Sequence, residues 1–596
     1  MLSKVIISHV IMENEPVMAK EFIKRPVEEQ SQTSSTHIDS IPRVPGGMIE
    51  QNEIAVPIEE IEEKKAEPSE RRQIAKSATL VMLGNLGSSV MGMVRQAVVA
   101  AIGSSVAGPF NAALLPARTF NDLLVNGSVS GALIPTFNDY SAPEKRDELR
   151  RIVFTLVNLL LIITTVVAVL YLIISPYFID LLVSGYANTN KQLTLQYSQI
   201  VFFSLLALAP FAVLLAALFS LKEFGWPAFA TASYHMGIIA GAFVGFLLGA
   251  RYNGHLGLAI GVLVGAVGEI ALLLPGIRNQ HLYYMFVLDL KHPALRRIVK
   301  LYGPVAFSFF VTMGLVFLDQ HLASLTHDNH STGEANTLAM NLATVLIQFP
   351  VGLVAAALSF AVLPTLSEHA RNGDMERFKQ TLLLGFRVGL LLMIPAAVGL
   401  IVLRYPIIYL LFHHHNFTPQ DVDRTALALQ NYAYQLPFVA IDQLLIAAFY
   451  ARKNTLIPVM VGVVSISGYL VVALPFYQTI GMPALAFANT VQNSLHAVIL
   501  LVLLRMAIGT IRIRETIPTV LKLVLAAAIM AVVAWGLQVL LAPIHLFSLP
   551  TLLGSFLTVI VAGGIAAAVY IGGVLFLRIE EVGLVKGAIM AKLGKR

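Results

Sequence analysis

The chain has 596 residues, 56% of them hydrophobic and 13% charged, with a mean hydropathy of +0.74 and a formal net charge of +6. Soluble domains carry about 25% charged residues, so a water-facing globular fold is excluded, and so is a disordered polyelectrolyte. Cys is absent, which removes disulfide scaffolds, thiolate metal sites and thiol nucleophiles; a polytopic membrane protein remains.

Residues 1–72 are polar and mostly acidic, with Glu59, Glu60, Glu62, Glu63, Glu67 and Glu70 just ahead of the first long apolar run. Such a segment buries too little apolar surface to offset its ordering entropy, and is expected to be a disordered acidic cytoplasmic tail. The opening MLSKVIISHVIM is a poor signal peptide, because Glu13 and Glu15 follow it where a small-residue cleavage site belongs.

From residue 73, apolar stretches recur, each long enough to cross a ~30 Å hydrocarbon core as a helix. The reading gives about fourteen spans, at 75–101, 107–138, 150–175, 196–221, 227–250, 256–277, 299–325, 336–365, 378–403, 427–451, 456–477, 482–505, 516–541 and 549–577. The runs are too long for barrel strands and lack period-two alternation, so the fold class is an all-α polytopic membrane protein.

Basic residues mark alternate loops, as cytoplasmic loops do. Lys145, Arg146, Arg150 and Arg151 follow the second span; Lys222 the fourth; Arg278, Lys291, Arg296, Arg297 and Lys300 the sixth. Arg371 and Arg377 follow the eighth, Arg452 and Lys453 the tenth, Arg512 and Arg514 the twelfth, and residues 578–596 form a basic cytoplasmic tail. Both termini are therefore expected on the cytoplasmic side of the membrane. The positive charge reads as topology and contact with anionic membrane lipids, with no call for nucleic acid.

The chain also matches itself. GSVSGALIPTFNDYSAPEKRDEL from Gly127 parallels AALSFAVLPTLSEHARNGDMERF from Ala356, each with a Pro (Pro135, Pro364) and an acid four residues on (Asp139, Glu368). A six-span offset keeps the copies in one orientation, so two six-helix lobes in pseudo-two-fold repeat, 73–278 and 295–505, are expected, with two extra C-terminal helices at 516–577. Duplicated lobes are a transporter architecture, with the substrate path between them.

Three stretches carry a resemblance: ATVLIQFPVGLVAAALSFAVLPTLSEHARNGD from Ala343, LLFHHHNFTPQDVDRTALALQNY ending at Tyr432, and AAFYARKNTLIPV from Ala447. With GSSVMGMVRQAVVAAIG in the first span, they resemble the MurJ/MviN family of bacterial lipid II flippases, within a superfamily that also holds multidrug and polysaccharide exporters. The resemblance runs from residue 75 to the C-terminus. It implies a fourteen-helix, two-lobed fold whose last pair forms a lipid-tail groove, and translocation of a lipid-linked peptidoglycan precursor by alternating access, with no enzyme activity and no cofactor.

The resemblance also locates a substrate site. Lipid II carries a pyrophosphate, which asks for cations in a central cavity. Arg95 stands at one of the family's cavity arginines, Ser89 at an earlier one, and Gln96 where the family has an acid. In the second span the basic position falls near Asn121, with Arg118 one turn away, and Asn126 takes the place of an acid. In the eighth span the family's Ala-Asp-Arg-Leu-x-Glu-Phe-Pro becomes Ala343-Thr344-Val345-Leu346-Ile347-Gln348-Phe349-Pro350. The expected substrate-binding set is thus Arg95, Arg118, Ser89, Asn121, Asn126 and Gln348, poorer in charge than the family pattern.

Asp319, an acid inside the seventh span, is the expected contact for a coupling monovalent cation or proton, although SISGYL from Ser465 lacks the residues the resemblance would place beside it. Glu269 and Asp442 are further intramembrane acids, read as satisfied structural groups. His413, His414 and His415 are adjacent, a spacing that does not converge on one metal ion. No nucleotide-binding motif is present, so an ion gradient or the membrane potential must drive transport. The charge-poor site leaves open an exporter of another lipid-linked glycan or of an amphipathic small molecule. A third reading is a membrane scaffold that recruits cell-wall synthesis proteins through the tail.

Overall fold

The computed structural model describes residue 84 and residues 87–123, 132–249, 254–327, 332–549, 551–579 and 581. Among the described residues the regular structure is helical throughout. Helix α1 covers residues 87–101. It is followed by α2 (Ser104–Asp122), α3 (Ile134–Asn138), α4 (Arg146–Leu182), α5 (Asn188–Phe202), α6 (Leu205–Ser220), α7 (Gly225–Leu248) and α8 (Gly257–Asn279). The second half holds α9 (Pro293–Leu325), α10 (Gly333–Ala361), α11 (Leu363–Arg371), α12 (Met375–Val402), α13 (Arg404–Leu411), α14 (Pro419–Ala433), α15 (Leu436–Ala451), α16 (Leu456–Phe476) and α17 (Met482–Ile508). Two more helices, α18 (Ile517–Leu541) and α19 (Leu552–Phe576), complete the chain.

Among the described residues, 8 helices are long and apolar enough to cross a membrane, or up to 10 if each bent pair is one span. The expected count of about fourteen is not reached there. The stretches 75–101 and 107–138 run partly outside the described residues, while 299–325 and 336–365 correspond to α9 and α10, 33 and 29 residues long. The tail at 1–72, the end of the basic tail at 582–596, and Asn126 also lie outside.

The bent pairs are α5 with α6, at 40°, and α14 with α15, at 44°, where the fourth and tenth spans were expected to be continuous. Pro437 explains the second break, since its ring clashes with the carbonyl four residues back, Ala433, where α14 stops. Pro210 lies inside α6, six residues in, so its ring meets the carbonyl of Leu206 within that helix and does not mark the first break.

One kind of helix ending recurs along the chain, at Lys222, His281, Lys453 and Arg578. After α6, Lys222 takes φ 59° and the amides of Lys222 and Glu223 bond to Phe219 O (3.1 Å) and Leu218 O (2.9 Å). After α15, Lys453 takes φ 59° and the amides of Lys453 and Asn454 bond to Tyr450 O (2.9 Å) and Phe449 O (3.0 Å). Both are Schellman closures, with a lysine where the left-handed conformation favours glycine. Pro135 and Pro364 correspond too, each opening a short helix, α3 and α11, at a position where a missing N–H costs nothing.

The closest helix pair is α7 with α8. Gly237, Gly241 and Gly245 face Gly265, Gly261 and Gly257 across it, and a Cβ on Gly241 would stand 2.2 Å from Gly257 O. Glycines at four-residue spacing let the two backbones touch, as in GxxxG membrane helix pairs.

One end of the bundle ties the halves together. The Asn416 amide donates to Ala101 O (3.0 Å) and its side chain to Ile102 O (3.2 Å); His321 Nδ1 lies 2.5 Å from Leu181 O; Tyr186 bonds Thr337, and Asn190 bonds Glu334. The connection between halves, residues 280–292, runs extended along α4. Asn158 donates to Met285 O (3.2 Å) and Val287 O (3.0 Å), and Arg151 pairs with Asp289 at 3.1 Å.

Replacing Gly241 with Leu is expected to force α7 and α8 apart and lower the thermal unfolding midpoint in detergent, at a cost of about 1–3 kcal/mol or more. Gly536→Leu is the control, since nothing lies within 4 Å of a Cβ there. Equal effects would show that the backbone contact does not carry stability.

Candidate functional site

The glycine contact sets the position of the polar side chains beside it. Tyr234 and His235 precede Gly237 on α7, and Glu269 follows Gly265 by one turn on α8. His235 reaches across to α1, where a Cβ on Gly92 would come 3.2 Å from its Nε2; the ring fits because Gly92 has no side chain. One turn beyond Gly92, Arg95 is 9% exposed and its Nε has no hydrogen-bond partner among the described residues.

Four helices converge here. Tyr234 lies within electrostatic reach of Arg95, Arg118, Asp122 and Glu269 together, and His235 within reach of both arginines. Arg118 and Asp122 pair at 3.9 Å with side chains 51% and 44% exposed, a contact of at most ~1 kcal/mol. Among the described residues, His235 Nδ1, Glu269 Oε2, Asn121 Oδ1 and, next to Arg95 in the chain, Gln96 Oε1 are further buried polar atoms left without a hydrogen bond. Glu269 is therefore not the satisfied structural group expected from sequence. The cluster offers guanidinium donors to a group rich in acceptor oxygens.

Of the expected substrate-binding set, the structure brings together Arg95, Arg118 and, beside them on α2, Asn121. Ser89 is exposed near the start of α1. Gln348 is exposed on α10, in the other half, and makes no hydrogen bond to the cluster among the described residues. Instead Gln96 links the halves, its Nε2 donating to Asn341 Oδ1 on α10 at 2.9 Å. Tyr234 and His235 were missed; their signal was a polar pair in the middle of an apolar span, next to the glycine series.

In the second half, Asp319 accepts from Tyr469 Oη at 2.5 Å and from the Asn489 side chain. Tyr469 belongs to SISGYL, so α16 does meet Asp319, through a neutral phenol. Asp442 is satisfied as expected, by His496 at 2.5 Å. The three adjacent histidines diverge: His413 Nδ1 turns to Phe417 O (2.9 Å), while His415 stands edge-on to Phe246. Among the described residues, no group of three or more His, Asp or Glu side chains is placed to hold a metal ion.

Comparison with known proteins decides the family. The family model described as lipid II flippase MurJ matches residues 98–575. The chain belongs to the MurJ family. A Bdellovibrio bacteriovorus protein named a probable lipid II flippase MurJ is 28% identical over 478 residues, 79% of this chain and 90% of that protein. A Vibrio cholerae protein of the same name is 28% identical over 471 residues, covering 77% and 88%. A solved structure of lipid II flippase MurJ in an inward closed conformation superposes with TM-score 0.67 at 21% identity, covering 84% of this chain and 99% of that one. An inward-facing multidrug resistance MATE transporter gives 0.55 at 15% identity, covering 71% and 94%. The chain thus has the MurJ and MATE-like fold. As a MurJ family member it is a multi-pass protein of the bacterial inner membrane and a transporter, not an enzyme.

The Gln96–Asn341 bond joins MurJ-type halves without charge, and a neutral hydrogen bond contributes about 1 kcal/mol. In a double-mutant cycle with Gln96→Leu and Asn341→Leu, the double variant is expected to lose less stability than the two singles combined, by about that amount. Strict additivity in thermal unfolding would mean that the pair is not coupled.

Proposed function

We propose that the protein carries lipid II across the inner membrane by alternating access, with Arg95 receiving phosphate oxygens of the head group. The observation that carries this reading is a buried arginine in a MurJ fold whose Nε has no hydrogen-bond partner among the described residues. An arginine at the centre of a membrane helix costs at least ~2.5 kcal/mol even on insertion scales, and an anionic ligand answers that cost. Arg118 and Asn121 stand beside it as further contacts. With the termini inside, as the loop charges indicate, the end tied by Asn416, His321 and Tyr186 faces outward, and the head group enters from the cytoplasm.

An apolar cavity of about 640 Å³ between α12, α15 and α18, walled by residues such as Phe386, Phe438 and Val520, supports a resting place for the polyprenyl tail. The drive is an ion gradient or the membrane potential, the latter worth about 2.3 kcal/mol per charge per 100 mV. Asp319, a lone carboxylate between two neutral donors, is the proposed contact for a coupling cation or proton. The neutral Ser89, Asn121 and Gln348 favour a second reading, export of another lipid-linked glycan bearing fewer negative charges.

Expression in cells depleted of their essential lipid II flippase, together with lipid II translocation in proteoliposomes, separates the two readings. The wild type should restore growth and Arg95→Ala should not, since removing one partner of a buried charged contact costs about 2–5 kcal/mol. Absent translocation by the wild type, with Arg95→Ala still supporting growth, would end the lipid II assignment. Restored export of a different glycan would select the second reading.

A further inference from the structure

Apart from the Arg95 cluster, the second half holds a half-open cavity of about 310 Å³, of mixed polar and apolar lining, between α9, α15, α16 and α17. On its wall, His496 of α17 uses both ring nitrogens. Nδ1 lies 2.5 Å from Asp442 Oδ1 on α15, and Nε2 lies 3.2 Å from the carbonyl oxygen of Pro458 on α16. The ring rests over Gly462, where a Cβ would stand 3.8 Å from Nε2.

A neutral imidazole carries one N–H and one lone pair. A carbonyl oxygen only accepts, and so does an ionised carboxylate. With Asp442 ionised and His496 neutral, one of the two contacts would set a lone pair against a lone pair. Both contacts are hydrogen bonds only when the pair holds one more proton, either as imidazolium and carboxylate or as neutral imidazole and carboxylic acid. That proton also takes the pair from a net charge of −1 to zero, and the neutral form is the less costly one in a low-dielectric interior.

We propose that Asp442 and His496 form a proton-binding dyad that takes a proton from water in this cavity and, on losing it, releases the hold of α17 on the start of α16. The proton enters as a solvated proton and leaves the same way, so no other bond is made or broken. The dyad sits where three helices meet: deprotonation removes the Nε2 donor to Pro458, the third residue of α16, and leaves that end of the helix without its tie to α17.

The other titratable groups facing the cavity are few. From α15 it is Tyr450; α16 contributes Pro458, Gly462 and Ser465, none of them titratable; α17 adds the amides Gln492 and Asn493; α9 contributes Leu315. Asp319, one turn beyond Leu315, is turned to Tyr469 and Asn489. Helices α10, α11 and α12, packed against α15, and α14, packed against α17, place no titratable side chain on this wall among the described residues. Arg452 and Lys453, in the connection between α15 and α16, and Arg505, in the last turn of α17, are the cations nearest along the chain.

The test is nitrogen NMR of the full chain, labelled with ¹⁵N-histidine and held in lipid nanodiscs, with His496→Gln used to assign the signal and a ¹³C-aspartate label reporting Asp442. The titration runs over about pH 5 to 9, which brackets an imidazole. At the acid end the dyad should hold its extra proton, seen as two protonated ring nitrogens or as a protonated Asp442 carboxyl, and it should lose one proton as the pH rises. Asp442→Asn should leave His496 singly protonated at a pH where the wild type is doubly protonated or shares the proton with the acid. A singly protonated His496 beside an ionised Asp442 across the whole range would overturn the proposal. So would a titration of His496 that Asp442→Asn leaves unmoved. The readout needs no lipid substrate, so its failure would leave the flippase reading standing, and the failure of that reading would leave the dyad intact.

Discussion

A charged or polar group inside the bilayer must find an answering group within the protein, and most of this structure follows from how each one does so. Backbone polarity is absorbed into helices. Asp319 is met by Tyr469 and Asn489, Asp442 by His496, and the Gln96 Nε2 by Asn341. The Arg95 region is different, because four helices bring several buried polar atoms together without using all of them. The difference separates groups that hold the fold from groups held ready for something else, and it is visible only once partners can be counted.

Charge depletion has a mechanical side. Gln96 stands where the resemblance calls for an acid, and its amide reaches the second half. An amide pair across a moving interface is held by about 1 kcal/mol, whereas an ion pair taken out of water is costly to form and costly to break. A neutral link suits halves that must separate and rejoin in each cycle.

The membrane class and most of the helices were legible in the sequence, because hydrocarbon thickness sets a length that apolar runs either meet or miss. Arg95 was legible for the same reason, as a charge where none is expected. The bends were less so: hydropathy averages over a break such as Phe203-Ser204, and only the ring of Pro437 marks the second one. His235 was invisible as a site residue because its role depends on Gly92, more than a hundred residues earlier, leaving room for the ring. In the sequence Glu269 looks like any buried acid; what sets it apart is an Oε2 that has no hydrogen-bond partner among the described residues. The Schellman closures at Lys222 and Lys453 fall at matching places of the expected repeat, but the same closure at His281 and Arg578 ends two further helices, so it belongs to helix ends in general.

The contact between α7 and α8 has a bearing on motion. Where two helices meet through side chains, they can slide by exchanging rotamers, and each accommodates a neighbour on its own. Here the surfaces in contact are peptide backbone, with no rotamers to exchange. The pair therefore moves as one plank, and Tyr234, His235 and Glu269 travel with it at fixed spacing. Any swing of that plank changes the distance from all three to Arg95 at once, so a gradual tilt of the lobe becomes a single concerted change in the field around the guanidinium.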